Sequence, residues 1–170
     1  NRNSNKLWSS RILRMGEKFS SIDSFFMHEA IKEAKKALKK GEVPVGAIVV
    51  FNEKIIGRGH NLRETKKNPV LHAEIIAIEK AVKKINDWRL YGCTLYVTLE
   101  PCIMCFGAIL NSRIDRLVYG TENLEEGFTK FLNIDNYRKW QLKEIVSGVE
   151  KDKCEGLLKE FFKNVRSSRL

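Results

Sequence analysis

Long apolar runs are missing from this 170-residue chain, and cysteine, proline and glycine are all sparse. No stretch approaches the roughly 18–20 apolar residues that a membrane-spanning helix needs, so we expect no such helix. Three prolines and 11 glycines exclude a collagen-like chain, and four cysteines are too few for a disulfide scaffold. The chain must therefore fold around an ordinary apolar core. Its 43% of hydrophobic residues suffice for one domain of this length.

Residues 1–22 lack a periodic apolar pattern, and they are poor in acidic residues while rich in Arg and Ser. An organellar transit peptide, an expression tag and a flexible native arm all share this composition. No secretory signal is visible, so we expect a cytoplasmic protein, or an organellar one if this segment is a transit remnant. We expect residues 1–22 to lie outside the fold and residues 23–170 to form one domain.

Acidic residues are also in deficit, since 31 Lys and Arg against 21 Asp and Glu give a net charge of +10. The excess is concentrated at the two ends, with net +4 in residues 1–22 and net +3 in residues 151–170. A chain with basic ends and a more neutral middle is suited to bind a polyanion through its phosphates. Solubility alone explains the same balance, so charge leaves nucleic-acid binding as one of two interpretations.

Helical and strand patterns alternate along the rest of the chain. Asp23 or Ser24 is a suitable N-cap for a first helix that ends at Gly41, and Pro101 suits the first turn of a later helix. The expected strands are Val45–Phe51 with a second run through Ile56, Cys93–Leu99, Arg116–Tyr119 and Leu142–Val146. The other expected helices run from His72, with Ile75, Ile78, Val82 and Ile85 on one face, from Cys102 to Leu110, and from Asp152 to Val165. This alternation predicts a three-layer α/β domain around one sheet.

The most informative pattern joins His72-Ala73-Glu74 to a Pro-Cys-Ile-Met-Cys segment that ends in Cys102 and Cys105. Zinc prefers thiolate and imidazole ligands, and a Cys-x-x-Cys at a helix start places two sulfurs on one side of the metal. The helix N-terminus also favours the thiolate form of both cysteines. His72, at the start of another helix, supplies a third ligand.

The number of ligands predicts the kind of zinc site. A structural zinc normally has four protein ligands, whereas a catalytic zinc keeps one position for water. A second Cys-x-x-Cys is absent, and no pattern places the other two cysteines or the other two histidines beside the first. Three ligands therefore predict a catalytic zinc, with Glu74 as the acid/base that moves a proton between water and substrate. The spacing matches the His-x-Glu and Pro-Cys-x-x-Cys signature of zinc deaminases, in which the Glu does not bind the metal.

Further stretches extend this pattern over residues from about Ser24 to Arg166. They are Gly-Glu-Val-Pro-Val-Gly-Ala at 41–47, Gly-His-Asn at 59–61, Asn-Pro-Val-Leu-His-Ala-Glu at 68–74, Trp-Arg-Leu at 88–90 and the run from Leu95 to Cys105. Together they resemble the bacterial tRNA-specific adenosine deaminases of the cytidine and deoxycytidylate deaminase superfamily.

The resemblance implies a cytidine-deaminase-like three-layer α/β/α sandwich with a central mixed five-stranded sheet, and a homodimer. It implies conversion of adenosine to inosine at the wobble position of a tRNA anticodon loop, with one zinc ion per chain held by His72, Cys102 and Cys105 and with Glu74 as the proton shuttle. The substrate-binding positions that it implies are Val43, Pro44, Val45, Asn61, Ala73 and Asn123. A base in an unpaired loop costs less to unstack than one in a duplex, which suits a buried zinc.

At three places the sequence departs from the family pattern, and these places concern how RNA is bound. Asn123 stands where the family usually has Asp, Phe106 replaces a small residue, and Phe128–Phe131 replace a Gly-Ser stretch. None belongs to the zinc ligands, so the expected deamination is unaffected while the nucleic-acid substrate stays open. At the chain end, three basic side chains are candidates for RNA contact because they can reach a phosphate backbone; they are Lys163, Arg166 and Arg169.

Two other functions stay open at this point. A deaminase of a free base or nucleoside, such as guanine or cytosine, would use the same zinc chemistry, and the altered Asn123 and Phe128–Phe131 region supports it. A non-catalytic zinc module that binds RNA would need a fourth protein ligand or the loss of the acid/base, yet Glu74 is present.

Overall fold

A computed structural model describes residues 20–133 and 141–169 of the chain. In this part of the chain, five strands and four α-helices form the fold. The helices are α1 (Ser21–Lys39), α2 (Ala73–Ile85), α3 (Ile103–Asn111) and α4 (Lys151–Ser167), and the strands are β1 (Gly46–Phe51), β2 (Lys54–His60), β3 (Thr94–Leu99), β4 (Arg116–Thr121) and β5 (Glu144–Ser147). A single 3₁₀ turn spans Phe128–Lys130. None of the helices described here is long and apolar enough to cross a membrane.

The strands form one mixed sheet in the order β2-β1-β3-β4-β5. β1 runs antiparallel to both β2 and β3, whereas β3, β4 and β5 are mutually parallel. Val97 of β3 is paired with Ala47 on one side and with Tyr119 on the other. The predicted mixed five-stranded sheet is confirmed. In sheets with parallel strands, functional sites gather beyond the carboxyl ends of those strands.

Helices cover both faces of the sheet. Alternate residues of β3 point to opposite faces, so Leu95 and Val97 pack with α2 and α3 while Tyr96 packs with α1 and α4. The α2–α3 side of the core contains Phe106 and Ile109, both fully buried. The three-layer α/β/α sandwich that the pattern predicts is therefore confirmed.

Helix α2 lies unusually close to β2 because β2 carries glycines at the contact. A Cβ atom at Gly59 would stand 2.4 Å from the carbonyl oxygen of Ala73, and one at Gly57 would stand 2.2 Å from that of Ala77. The face of α2 that meets β2 correspondingly carries small side chains, since Ala73, Ala77 and Ala81 are fully buried there. This close packing fixes the N-terminus of α2 against the end of β2.

The expected apolar stripe of α2 is only partly covered. Ile75, Ile78 and Val82 are half-buried and Ile85 is 37% exposed. The helix was predicted correctly, but its innermost face is rotated toward the alanines because the glycines of β2 admit only small side chains there.

Two boundary predictions were wrong. Helix α1 begins at Ser21, and its N-cap is Ser20, whose hydroxyl accepts a hydrogen bond from the backbone N–H of Asp23 at 3.1 Å. Asp23 is therefore not the cap, and the folded part of the described chain begins before the expected boundary at residue 23. Pro101 precedes the N-cap of α3, which is Cys102, and so lies outside the first turn. Residues 1–19 of the expected arm lie outside the described residues.

Candidate active site

The proposed metal ligands meet where the N-termini of α2 and α3 come together beyond the end of β3. His72 is the N-cap of α2, Cys102 is the N-cap of α3, and Cys105 lies in the first turn of α3. Nδ1 of His72 lies 3.7 Å from Sγ of Cys102 and 3.5 Å from Sγ of Cys105. Cys105 is buried, and the other two side chains are partly exposed.

The three donor atoms fit a zinc ion. They lie within 4.8 Å of one another, and among the described residues no fourth His, Cys, Asp or Glu joins them. Zinc bonds of about 2.3 Å to sulfur and about 2.0 Å to nitrogen at tetrahedral angles place such ligands about 3.5 Å apart. The measured nitrogen–sulfur separations are close to this value, so the site suits one zinc ion with a position left for a non-protein ligand.

Contacts among the three donors shift their pKa values. Hydrogen bonds from Cys105 and His72 lower the pKa of Cys102 to about 4, so this sulfur is a thiolate at neutral pH. The same contact with Cys102 raises the pKa of His72, and the pKa of Cys105 is raised by Cys102 and by burial. A divalent metal would stabilise the second sulfur as a thiolate too, because thiolates are the form that binds zinc.

Glu74 lies in the first turn of α2, beside the cluster and outside the ligand set. Its side chain is only 4% exposed, and burial raises the pKa of its carboxyl group. A carboxyl group whose pKa is raised by burial takes up a proton more readily than an exposed one does. Its position and its environment are therefore those of an acid/base.

Asn61 directly follows β2 and is hydrogen-bonded to the segment Val43–Val45. The side-chain Nδ2 of Asn61 donates to the carbonyl oxygen of Val43 at 3.3 Å, and its backbone N–H donates to that of Val45 at 3.1 Å. Oδ1 of Asn61 accepts from the backbone N–H of Arg63 at 3.1 Å. These bonds fix the orientation of the amide, and Pro44 in the same segment is buried.

Ala73 is fully buried, and its methyl group belongs to the core between α2 and the sheet. Any contact that it makes with a substrate would come from its backbone. The sequence reasoning did not single out Glu42, which is 1% exposed and accepts hydrogen bonds from the backbone N–H groups of Glu64 and Thr65 at 3.0 and 3.1 Å. Glu42 thereby holds the loop after Asn61. In the sequence, the only indication of this role was an acidic residue next to an apolar run.

Asn123 follows β4 and is partly exposed. Its Oδ1 accepts from the backbone N–H groups of Glu126 at 3.0 Å and Glu125 at 3.3 Å, so its side chain stabilises its own turn. The candidate RNA contacts Lys163, Arg166 and Arg169 are exposed at the end of α4. Helix α4 packs on the sheet face opposite α3, so these residues lie in a different layer from the cysteines.

Comparison with known proteins assigns the family. The pattern of the cytidine and deoxycytidylate deaminase zinc-binding region matches residues 20–121. The chain belongs to this family. It is 46% identical over 149 residues to the tRNA-specific adenosine deaminase of Bacillus subtilis strain 168. This match covers 86% of the present chain and 92% of the relative.

Solved structures agree with this assignment. One solved structure comes from work on A-to-I editing by tRNA:A34 deaminases at the wobble position of transfer RNA. It matches this chain with a TM-score of 0.72 and 34% identity, and the match covers 79% of this chain and 99% of the solved chain. The guanine deaminase of Bacillus subtilis has a TM-score of 0.55 and 37% identity, but the match covers 58% of this chain and 63% of that enzyme. The deaminase fold is shared by both, and the likeness to tRNA deaminases extends over more of the chain.

Proposed function

We propose that this enzyme deaminates adenosine to inosine at the wobble position of a tRNA anticodon loop. The observation that carries the proposal is the joint arrangement of His72, Cys102, Cys105 and buried Glu74 in a chain that matches a tRNA-specific adenosine deaminase over 86% of its length. The absence of a fourth protein ligand among the described residues argues against a purely structural zinc module.

The reaction replaces the amino group at C6 of adenine by the oxygen of water and releases ammonia. Zinc, when bound by His72, Cys102 and Cys105, supplies Lewis-acid activation of water. Glu74 takes a proton from water and delivers it to the purine ring, and it then moves the proton of the hydroxyl group added at C6 to the departing amino group. Because its carboxyl group is buried and its pKa raised, Glu74 retains the transferred proton instead of losing it to solvent.

Asn61 and the segment Val43–Val45 bind the base. Asn61 presents an amide whose orientation is fixed by its bonds to Val43 and Arg63, which suits hydrogen bonding to a flat heterocycle. Val43, Pro44 and Val45 supply the apolar side of the pocket, Ala73 contributes its backbone, and Asn123 lies along the ribose-phosphate path. Lys163, Arg166 and Arg169 contact the RNA backbone. Such a substrate supports a cytoplasmic enzyme, or an organellar one if residues 1–22 are a transit remnant.

A second copy of the chain covers the outer face of α3. Ile103 is 46% exposed and Met104 36% exposed in the turn that follows Cys102, and a side chain at Gly107 would meet nothing within 4 Å. An interface here would bury these side chains and close one side of the zinc site. Light scattering tests the homodimer: the protein should have twice the chain mass, and Met104→Lys should shift it toward the monomer.

Incubation with matched substrates tests the proposed activity. The purified zinc-loaded enzyme is mixed separately with an anticodon stem-loop that carries adenosine at the wobble position, with free guanine and with cytosine. We expect inosine in the stem-loop by mass spectrometry, and no ammonia from the free bases. Ammonia from guanine without inosine in the stem-loop would instead identify a free-base deaminase, the alternative that the likeness to guanine deaminase favours.

A further inference from the structure

The segment that carries Cys102 is braced by a loop from beyond β4. Gly127 pairs with Cys102 in an isolated antiparallel bridge, and the backbone N–H of Phe128 donates to the carbonyl oxygen of Pro101 at 2.9 Å. These residues belong to residues 122–131, which we call the outer loop. The outer loop therefore touches the metal-ligating segment directly, although it contains no metal ligand.

The outer loop is anchored by one buried carboxylate. Glu100, which lies between β3 and Pro101, is 3% exposed. Its two oxygens accept hydrogen bonds from the hydroxyl of Thr129 at 3.2 and 3.1 Å, and one of them also accepts from the backbone N–H of Thr129 at 3.4 Å. A backbone hydrogen bond from Asn123 reaches the same carboxylate. Both ends of the outer loop are thus tied to Glu100.

Gly127 makes room for this anchor. A Cβ atom there would stand 1.7 Å from Oε2 of Glu100 and 2.6 Å from the carbonyl oxygen of Asn123. Any side chain at this position would displace the carboxylate, so the anchor requires Gly at 127 and an acid at 100. Glu100 lies outside the cluster of metal-ligating groups, and the deamination chemistry assigns it no task.

The outward side of the outer loop has the character of a nucleic-acid surface. Leu124 is 70% exposed and Phe131 is 59% exposed, while Asn123 is partly exposed between β4 and Leu124. Apolar and aromatic side chains that face solvent beside a deaminase site suit the unstacked bases of a single-stranded loop. An anchored loop presents these side chains in one fixed place, which lowers the entropy cost of binding.

We infer that Glu100 is a positioning residue for the RNA substrate: its carboxylate, held by Thr129 and Asn123, fixes the outer loop that grips the bases flanking the target adenosine. This inference rests on the proposed RNA substrate. It predicts that loss of the anchor weakens binding of the stem-loop and leaves the chemical step nearly intact, because neither zinc nor Glu74 is touched.

Thr129 offers the cleaner test because it lies on the loop side of the anchor. Thr129→Val removes the hydroxyl and keeps the shape, whereas Thr129→Ser keeps the hydroxyl and is the matched control. For the stem-loop we expect Thr129→Val to raise KM about tenfold, as loss of a hydrogen bond to a charged group does, with kcat changed less than about twofold. Thr129→Ser should keep the KM of the wild type. An unchanged KM in Thr129→Val would overturn the inference.

A second measurement is independent of activity. Hydrogen exchange of the zinc-loaded protein should be faster in the outer loop of Glu100→Gln than in the wild type, because the amide keeps only one acceptor oxygen and lacks the charge that strengthens the bonds from Thr129 and Asn123. Zinc content should stay at about one per chain. Unchanged exchange in the outer loop, or loss of zinc from this variant, would show that Glu100 serves only the cysteine segment. Failure of the wild type to act on the stem-loop would instead overturn the proposed function.

Discussion

The rings of Phe106 and Phe128 lie face to face, with centroids 4.0 Å apart and planes 2° from parallel. Both side chains are fully buried, and Tyr119 packs its ring edge-on against Phe128 at 6.3 Å. Phe106 directly follows Cys105, so the stack joins α3 to the outer loop. Phe106 and Phe128, which belong to two of the departures from the family pattern, therefore form one packing unit, and neither ring can touch RNA directly because both are buried. Phe131 of the same stretch is the exposed one.

We expect Phe106→Ala and Phe128→Ala each to lower the free energy of unfolding by roughly 3–5 kcal/mol, because each leaves a cavity in the core. The double variant should lose less than the sum of the two, by about 0.5–1.5 kcal/mol, since the stack is lost only once. Urea denaturation measures these values. Phe131→Ala, at an exposed position of the same loop, is the control and should change stability by less than about 0.5 kcal/mol. Strictly additive losses would show that the two rings do not stabilise each other.

Metal analysis should find about one zinc per chain, and X-ray absorption should show two sulfur donors and one nitrogen donor from the protein. Cys102→Ser should lower the zinc content, whereas Cys93→Ser should keep it, because Cys93 is buried outside the cluster. Removal of zinc by a chelator should also lower Tm, since the metal binds only the folded site. A spectrum with four protein donors would contradict the three-ligand site.

Glu74→Gln should keep the zinc and lose turnover. The amide has nearly the shape of the carboxyl group but cannot carry a proton, so kcat should fall by roughly 10²–10⁴. Single-turnover deamination of the stem-loop, with zinc content measured on the same sample, checks this. Glu79→Gln, at an exposed position of the same helix, should retain wild-type turnover. Activity that survives in Glu74→Gln would mean that another group moves the proton.

A buried ion pair joins α1 to the sheet at the end opposite the zinc ligands. The carboxylate of Asp23 accepts hydrogen bonds from Arg116 at 2.6 and 2.7 Å and from the hydroxyl of Tyr96 at 2.8 Å. Burial by itself would raise the pKa of Asp23, but the bonds from Arg116 and Tyr96 outweigh it and hold the pKa below 3.8. The folded state therefore favours the ionised form, and this part of the stability is present above the unfolded pKa and lost as the pH falls through the folded pKa.

Asp23→Asn should accordingly destabilise the protein in a pH-dependent way. At pH 7 we expect a loss of roughly 2–3 kcal/mol in the free energy of unfolding, as for hydrogen bonds to a charged group. The difference from the wild type should begin to shrink below about pH 4, the pKa of Asp in the unfolded chain, and should continue to shrink as the pH falls through the folded pKa of Asp23. Urea denaturation at pH 7 and pH 3 measures both differences. Tyr96→Phe removes one of the bonds to the Asp23 carboxylate and raises the pKa of Asp23, so its effect should be smaller than that of Asp23→Asn and should also shrink in acid.

The zinc cluster was predictable because its signals are local. His72 and Cys102 each stand at a helix start that the flanking residues mark, and Cys-x-x-Cys spacing at the start of α3 places both sulfurs at the same end. The structure brings these three residues together as expected, and the same reading of helix and strand patterns predicted the layers of the fold.

Other features depend on contacts between distant segments, which no pattern along the chain encodes. The inward face of α2 is set by Gly57 and Gly59 of β2, and these residues carry no helical signal. Glu100 and Thr129 are 29 residues apart, and nothing in either segment indicates that they pair. The same holds for Asp23 and Arg116, because the sequence suggested Asp23 as one of two N-caps and only the folded structure shows that Asp23 pairs with Arg116 instead.

Asn123 gives the last prediction, which concerns the sugar of the substrate. The family usually has Asp here, and a carboxylate only accepts hydrogen bonds, which suits a 2′-hydroxyl donor and repels phosphates. Asn123 uses Oδ1 to accept from Glu125 and Glu126, so the group it presents beyond its turn is the donor Nδ2. We therefore expect weaker discrimination between ribose and deoxyribose than an acid would give.

The substitution Asn123→Asp isolates this effect, because an Asp oxygen accepts the same two backbone bonds and preserves the turn. Deamination of matched RNA and single-stranded DNA hairpins by both forms measures the ratio of their kcat/KM values. We expect the wild type to tolerate the deoxyadenosine hairpin better, so Asn123→Asp should raise the preference for RNA. The added charge acts on both hairpins through their phosphates, whereas only the RNA offers a 2′-hydroxyl, so the ratio reports the sugar alone. If the variant leaves that ratio unchanged or lowers it, this position does not sense the sugar, and the Asp-to-Asn difference affects only the general attraction for the phosphate backbone.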